Sequence, residues 1–161
     1  MRDPIAERPL APKAYGYSTK RKGMLPWDLV REALADANLY WIATKRPDGG
    51  PHLHPIWGGW VGNHLYFEGG DTTKWARNLA GDKRVSFGVE SQGLHISGRG
   101  IVEISAAGDD FNALAANYAG KYSYQPETDQ FYRVNPAVII ALAMTSLEQF
   151  AVTPTRFRFE A

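Results

Sequence analysis

Apolar positions along this chain repeat with two different periods. Trp27, Val30, Leu34 and Ala37 recur at helical spacing. Pro26 stands near the first helical position and Asn38 marks a stop, so a helix is expected between them. The next stretch, Leu39 to Lys45, is β-branched and aromatic and reads as a strand. Pro47-Asp48-Gly49-Gly50 is a strong turn signal. His52 to Trp60 reads as a second strand, interrupted by Pro55 and by Gly58-Gly59. Val61-Gly62-Asn63 then turns the chain into His64 to Glu68. Two hairpins this short make an antiparallel meander.

The pattern continues with a short helix, Thr72 to Leu79, with Thr72 or Thr73 at its N-cap. Arg84 to Glu90 alternates as a strand, and so does His95 to Ile104 after a turn at Ser91-Gln92-Gly93. Gly98 and Gly100 inside that strand suggest a bend or bulge. Phe111, Leu114, Ala115 and Tyr118 share one face of an expected helix from Asp109 to Lys121. A loop is expected from Tyr122 to Asn135, then strands over Ala137 to Met144 and Thr155 to Phe159. No internal repeat is evident.

Six or seven antiparallel strands with helical insertions predict a mainly β, α+β domain of small closed or nearly closed barrel form. Its 161 residues suit one domain with a sizeable core. The expected division is an amino-terminal arm, residues 1–23, and a barrel domain, residues 24–161. The arm is rich in Pro, Ala and basic residues (Lys13, Lys20, Arg21, Lys22) and has no period of either kind.

Composition narrows the function. The chain has no cysteine, which excludes a disulfide scaffold, thiolate metal sites and a cysteine nucleophile. A formal net charge of +1 argues against a salt-driven nucleic-acid partner. No run approaches the length of a membrane span, and no apolar segment follows Met1 as in a signal peptide. A cytoplasmic protein is the expectation. His52 and His54, two apart on a strand, point to one face, but no third ligand pattern accompanies them, so no metal site is assigned. No nucleophile elbow, phosphate-binding P-loop or dinucleotide fingerprint is present, and the catalytic residues stay unassigned.

The sharper candidate is Gly69-Gly70-Asp71-Thr72-Thr73-Lys74-Trp75-Ala76-Arg77. Two glycines allow close approach by a ligand. Thr72 and Thr73 place hydroxyls at a helix N-terminus, whose free N–H groups favour an anion. Lys74 adds a point charge, and Arg77 follows one turn later. This suits a phosphate; the alternative is an ordinary capped helix with surface cations. Among the tryptophans, Trp41 is expected in the core. Trp57 and Trp75 flank the candidate site and could stack on a planar ring or fill the core.

The segment from Ala43 to Trp57, with its Asp48-Gly49 turn and Pro55, resembles the first hairpin of the pyridoxamine 5′-phosphate oxidase-like family. Leu65-Tyr66-Phe67, then Thr73-Lys74 with Arg77-Asn78-Leu79, then Asp82 with Arg84-Val85-Ser86, is similar to the rest of that core. The resemblance spans roughly residues 27 to 160. It implies an antiparallel split β-barrel of the FMN-binding type, a homodimer with cofactor sites between the subunits. It implies that Lys74 and a Thr72 or Thr73 hydroxyl hold the cofactor's phosphate, with Arg77 near. The strand around His54, Pro55, Ile56 and Trp57 would line the ring system. His54 stands where the family's oxidases often carry an arginine. Arg156 in Thr155-Arg156-Phe157 resembles a terminal Thr-Arg-Trp motif that can approach cofactor or substrate.

The function so implied is an FMN-dependent oxidoreductase passing hydride to or from a small organic substrate. One alternative is the same fold with the deazaflavin coenzyme, whose longer acidic tail Lys45, Arg46 and the amino-terminal basic residues could meet. Another is a non-catalytic flavin- or haem-binding protein. A nucleic-acid-binding barrel is the least favoured. The loop with Tyr122, Tyr124, Phe131 and Tyr132 is a candidate cover for the substrate site, or else a dimer contact.

Overall fold

A computed structural model of the chain describes residues 2–127 and 130–160. Met1 and Ala161, the ends of the expected arm and barrel, lie outside them. So do Thr128 and Asp129, within the expected 122–135 loop.

The strands are β1 (Ile5–Glu7), β2 (Tyr40–Lys45), β3 (Pro51–Ile56), β4 (Gly59–Val61), β5 (His64–Phe67), β6 (Arg84–Ser91), β7 (Leu94–Ala106), β8 (Gln130–Ala143) and β9 (Thr155–Arg158). The helices are α1 (Trp27–Asp36), α2 (Lys74–Gly81), α3 (Phe111–Tyr122) and α4 (Leu147–Val152). The nine strands form one antiparallel sheet whose main path is β1-β9-β8-β7-β6-β2-β3. Strand β5 branches off β8 and carries β4. Among the described residues no helix is long and apolar enough to cross a membrane.

Cross-strand partners in this sheet point to one face. Ile42 faces Phe87 in the next strand, and Phe87 faces Gly98. A Cβ on Gly98 would lie 2.2 Å from the Phe87 ring, so the aromatic takes the space the glycine leaves. The expected irregularity in this strand is a register shift between Arg99 and Gly100. Gly100 there pairs with Pro136, which lacks an N–H and is tolerated at such a break.

Helix α1 buries Trp27, Val30, Ala33 and Leu34 against the sheet. Trp27 meets Phe157 at 5.1 Å and Trp60 at 6.3 Å between ring centroids. A second cluster, Tyr66, Leu114, Tyr118 and Phe131, lies under α3. Lys121 in the last turn of α3 ties the two: its Nζ donates to Gly58 O at 2.7 Å, Ala37 O at 2.9 Å and Ala35 O at 3.2 Å.

The structure corrects several expectations. Strand β8 begins at Gln130, so much of the expected 122–135 loop is strand; Phe131 and Val134 are buried, while Arg133 reaches Glu103 at 2.6 Å. The amino-terminal segment contributes β1, paired with β9. Arg8 fastens it further, donating at 2.8–2.9 Å to the carbonyls of Lys20, Lys22, Val152 and Pro154. Trp41 is not in the core. It is 44% exposed, on the outer face of β2 opposite Pro55.

Leu34 is fully buried in α1. Leu34→Ala should therefore cost about 2–5 kcal/mol in a urea melt. A loss under about 0.5 kcal/mol, the range of surface changes, would make α1 peripheral.

Candidate functional site

Helix α2 starts where the sequence places it. Thr73 is the N-cap, and its hydroxyl accepts from the Ala76 N–H at 3.3 Å. Lys74 is the first helical residue, and no acid shares that turn. Trp75, Ala76, Asn78 and Leu79 are buried, while Thr72, Lys74 and Arg77 are exposed. The preceding turn is close-packed: a Cβ on Gly69 would lie 2.6 Å from the Trp75 indole. Asn78 Nδ2 donates to Thr44 Oγ1 at 3.0 Å, so a buried bond fixes α2 on the core face of β2. Lys74 makes no ion pair among the described residues. Its charge acts on Asp48 in the β2–β3 turn, whose carboxyl is held low by the Gly50 amide and by Arg46, with Lys74 adding to them.

Beside this helix lies β3, the end of the sheet path. Only Ile56 of its six residues is buried. Register places His52, His54 and Ile56 opposite Thr44, Ile42 and Tyr40, on the face that carries α2. The two imidazoles stack, with centroids 5.9 Å apart. Leu53 and Pro55 lie on the outer face, opposite Ala43 and Trp41. Of the strand residues singled out for the ring system, His54, Pro55 and Trp57 are exposed and Ile56 is buried.

Trp57 is held as a fixed plane. It stacks on Tyr122 at 4.7 Å with the rings 6° from parallel. The Tyr122 hydroxyl donates to Gly58 O at 2.9 Å and accepts from Gly58 N at 3.1 Å. Trp57 borders a cavity of about 610 Å³ with Gly69, Asp71, Glu68, Tyr118 and Tyr132. Of the candidate cover residues, Tyr124, Phe131 and Tyr132 line this cavity, and Tyr122 stacks on Trp57 at its border. No sequence motif assigns a role to Glu68 or Asp71.

Arg156 is not with the others. The row Pro55–Trp41–Gly88–Ser97–Ile140–Arg156 runs across the sheet, with four strands between β3 and β9. Arg156 instead pairs with Glu7 of β1, Nε to Oε1 3.3 Å. A basic cavity of about 590 Å³ opens on the outer face between Lys45, Arg84, Arg99, Pro51 and Ile101. Arg84 and Lys45 share Asp82 there, at 2.5 Å and 3.6 Å.

An anion-favouring helix end beside an uncovered strand is the arrangement against which known proteins can be compared. Residues 27–150 match the family model for pyridoxamine 5′-phosphate oxidase. The chain belongs to the pyridoxamine 5′-phosphate oxidase family. No curated protein matches it. Solved structures of the same FMN-binding and F420-reductase split-barrel type do. An F420 reductase is 28% identical, with a TM-score of 0.52 over 67% of this chain and 94% of its own. A pyridoxamine 5′-phosphate oxidase-related, FMN-binding protein from Nostoc punctiforme is 14% identical (TM-score 0.56; 76% of this chain, 86% of its own). A heme-binding protein from Mycobacterium smegmatis is 21% identical (TM-score 0.57; 76% and 58%). The last two establish shared fold alone. Within the pyridoxamine 5′-phosphate oxidase family match fall β2 to β8 and α2, the elements that build the site described above.

Lys121, beneath the Trp57–Tyr122 stack, gives a pH-dependent prediction. Burial pulls its amine down from 10.5 to about 8. Between those values the unfolded chain binds the extra proton, so stability should rise with pH through that window. Lys121→Met should remove part of the rise between about pH 8 and about pH 10.5 in urea melts. An equal rise in both proteins would show that Lys121 does not titrate in this window.

Proposed function

We propose that this chain is a flavin-dependent oxidoreductase that binds FMN between the subunits of a homodimer. It would pass hydride to or from a small organic substrate. The observation that carries the reading is the start of α2: free N–H groups, capped by Thr73, with the unpaired Lys74 in a turn without acids. A cation at a helix N-terminus meets the positive end of the dipole and is locally unfavourable. An anion between the two relieves that conflict.

Bound FMN supplies the redox chemistry itself, so the protein has to bind, orient and exclude water. Thr72, Thr73 and Lys74 would hold the phosphate, with Arg77 on the next turn. His54 lies on the α2 face of β3, and an imidazole there can donate to a phosphate oxygen. The segment His54-Pro55-Ile56-Trp57 would border the ring, with Trp57 pre-positioned by Tyr122. A second subunit would cover β3 and the outer-face residues Trp41 and Leu53, the latter 62% exposed.

The deazaflavin coenzyme is the second reading. The 28% identity to an F420 reductase favours it. So does the basic outer-face cavity with Lys45, Arg84 and Arg99, which suits a longer acidic tail.

Lys74→Ala should weaken FMN by about 1.5–3 kcal/mol, the range for a bond to a charged group. Riboflavin, which lacks the phosphate, should bind both proteins alike. Stability without ligand should stay level or rise slightly. Calorimetric titration of both flavins into both proteins checks this; equal weakening of the two, or of neither, would contradict the phosphate assignment.

A further inference from the structure

The cavity beside the Gly69–Asp71 turn has a different character from the end of α2. Trp57, Tyr124 and Tyr132 turn aromatic surface to it, and the fully buried Tyr118 also lines it. Its charged lining residues are Glu68 and Asp71; among the described residues no lysine, arginine or histidine borders it. The volume of about 610 Å³ fits a small molecule.

The electrostatic surroundings agree. Burial raises the Tyr118 phenol and Glu68 adds to it; Glu68 raises that of Tyr124, with burial and Glu127 adding; burial raises that of Tyr132, with Asp71 adding. Burial shifts the Glu68 carboxyl upward, opposed by a hydrogen bond with Tyr124 and reinforced by Glu127. One polar group is also left over. The Tyr118 hydroxyl is buried and has no hydrogen-bond partner among the described residues. Such groups are rare in folded proteins and commonly mark a place where another molecule supplies the partner.

We infer that this cavity binds a small organic cation, an amine or alkylated ammonium compound with an apolar or aromatic body. Aromatic faces attract a cation, and desolvation strengthens that attraction. Glu68 and Asp71 supply the counter-charge. An anionic ligand would face two carboxylates with no cation to offset them. The Gly69–Thr73 turn thus separates two sites of opposite preference: anion at Lys74, cation at Glu68. That the bound cation is the substrate of the flavin rests on the function proposed above; the charge preference of the cavity does not.

The test is calorimetric titration of three probes of similar size into the flavin-free protein at neutral pH. The probes are benzyltrimethylammonium, benzyl alcohol and phenylacetate. The cation should bind about tenfold more tightly than the alcohol, and phenylacetate should bind weakest. Glu68→Gln should weaken the cation about five- to tenfold and leave the alcohol within about twofold. If Glu68→Gln does not fold, Asp71→Asn, on the exposed turn, makes the same comparison. Phenylacetate binding as tightly as the cation, or a cation affinity insensitive to both substitutions, would overturn the inference. Cation binding that survives while FMN fails to bind would support the cavity assignment and overturn the flavin reading alone.

Discussion

Among the described residues, strand β3 pairs with β2 on one side and with no strand on the other, and five of its six residues are not buried. Unpaired strand edges are costly to leave open, and proteins cover them or use them. Here the rest of the site is arranged around that edge. Asn78 bonds to Thr44 and fixes α2 on the core face next to it. Tyr122 and Lys121 both hold Gly58, just past the end of β3, so the backbone that carries Trp57 cannot drift. A partner that covers β3 would therefore also complete a site whose polar groups are already oriented.

Charge divides this region into parts. The α2 end offers N–H groups and Lys74 without acids. The cavity a few residues earlier offers Glu68 and Asp71 without bases among its described lining. The outer face adds a third, basic area around Arg99. A chain with a formal net charge of +1 thus carries local fields of both signs, which its overall balance conceals.

What could be read from the sequence was what is encoded locally. The Pro47–Gly50 turn, the Thr73 cap and the irregularity at Gly98–Gly100 each follow from the needs of a few neighbouring residues. Features set by tertiary contact were not legible. Strand β1 is three residues long and exists because β9 pairs with it. The first half of β8 mixes aromatic and polar residues around Pro136 and reads as loop; its strand state depends on β5 and β7 alongside. Trp41 reads as core because large aromatics usually are, but the alternation of β2 turns it outward. The position of Arg156 came from resemblance to a terminal motif, and its chemistry here is an ion pair to Glu7. Thr72, Thr73, Lys74 and Arg77 lie within a single short segment, while His54, Pro55 and Ile56 belong to β3 and Trp57 follows its end.

The account rests on a cofactor held at an edge that one subunit leaves open. Sedimentation velocity with detection at a flavin absorbance band, on protein mixed with FMN at micromolar concentration, tests this most directly. The account predicts that the flavin signal moves with a dimer. Flavin that stays behind at the meniscus, or protein that sediments as a monomer with flavin bound, would contradict it.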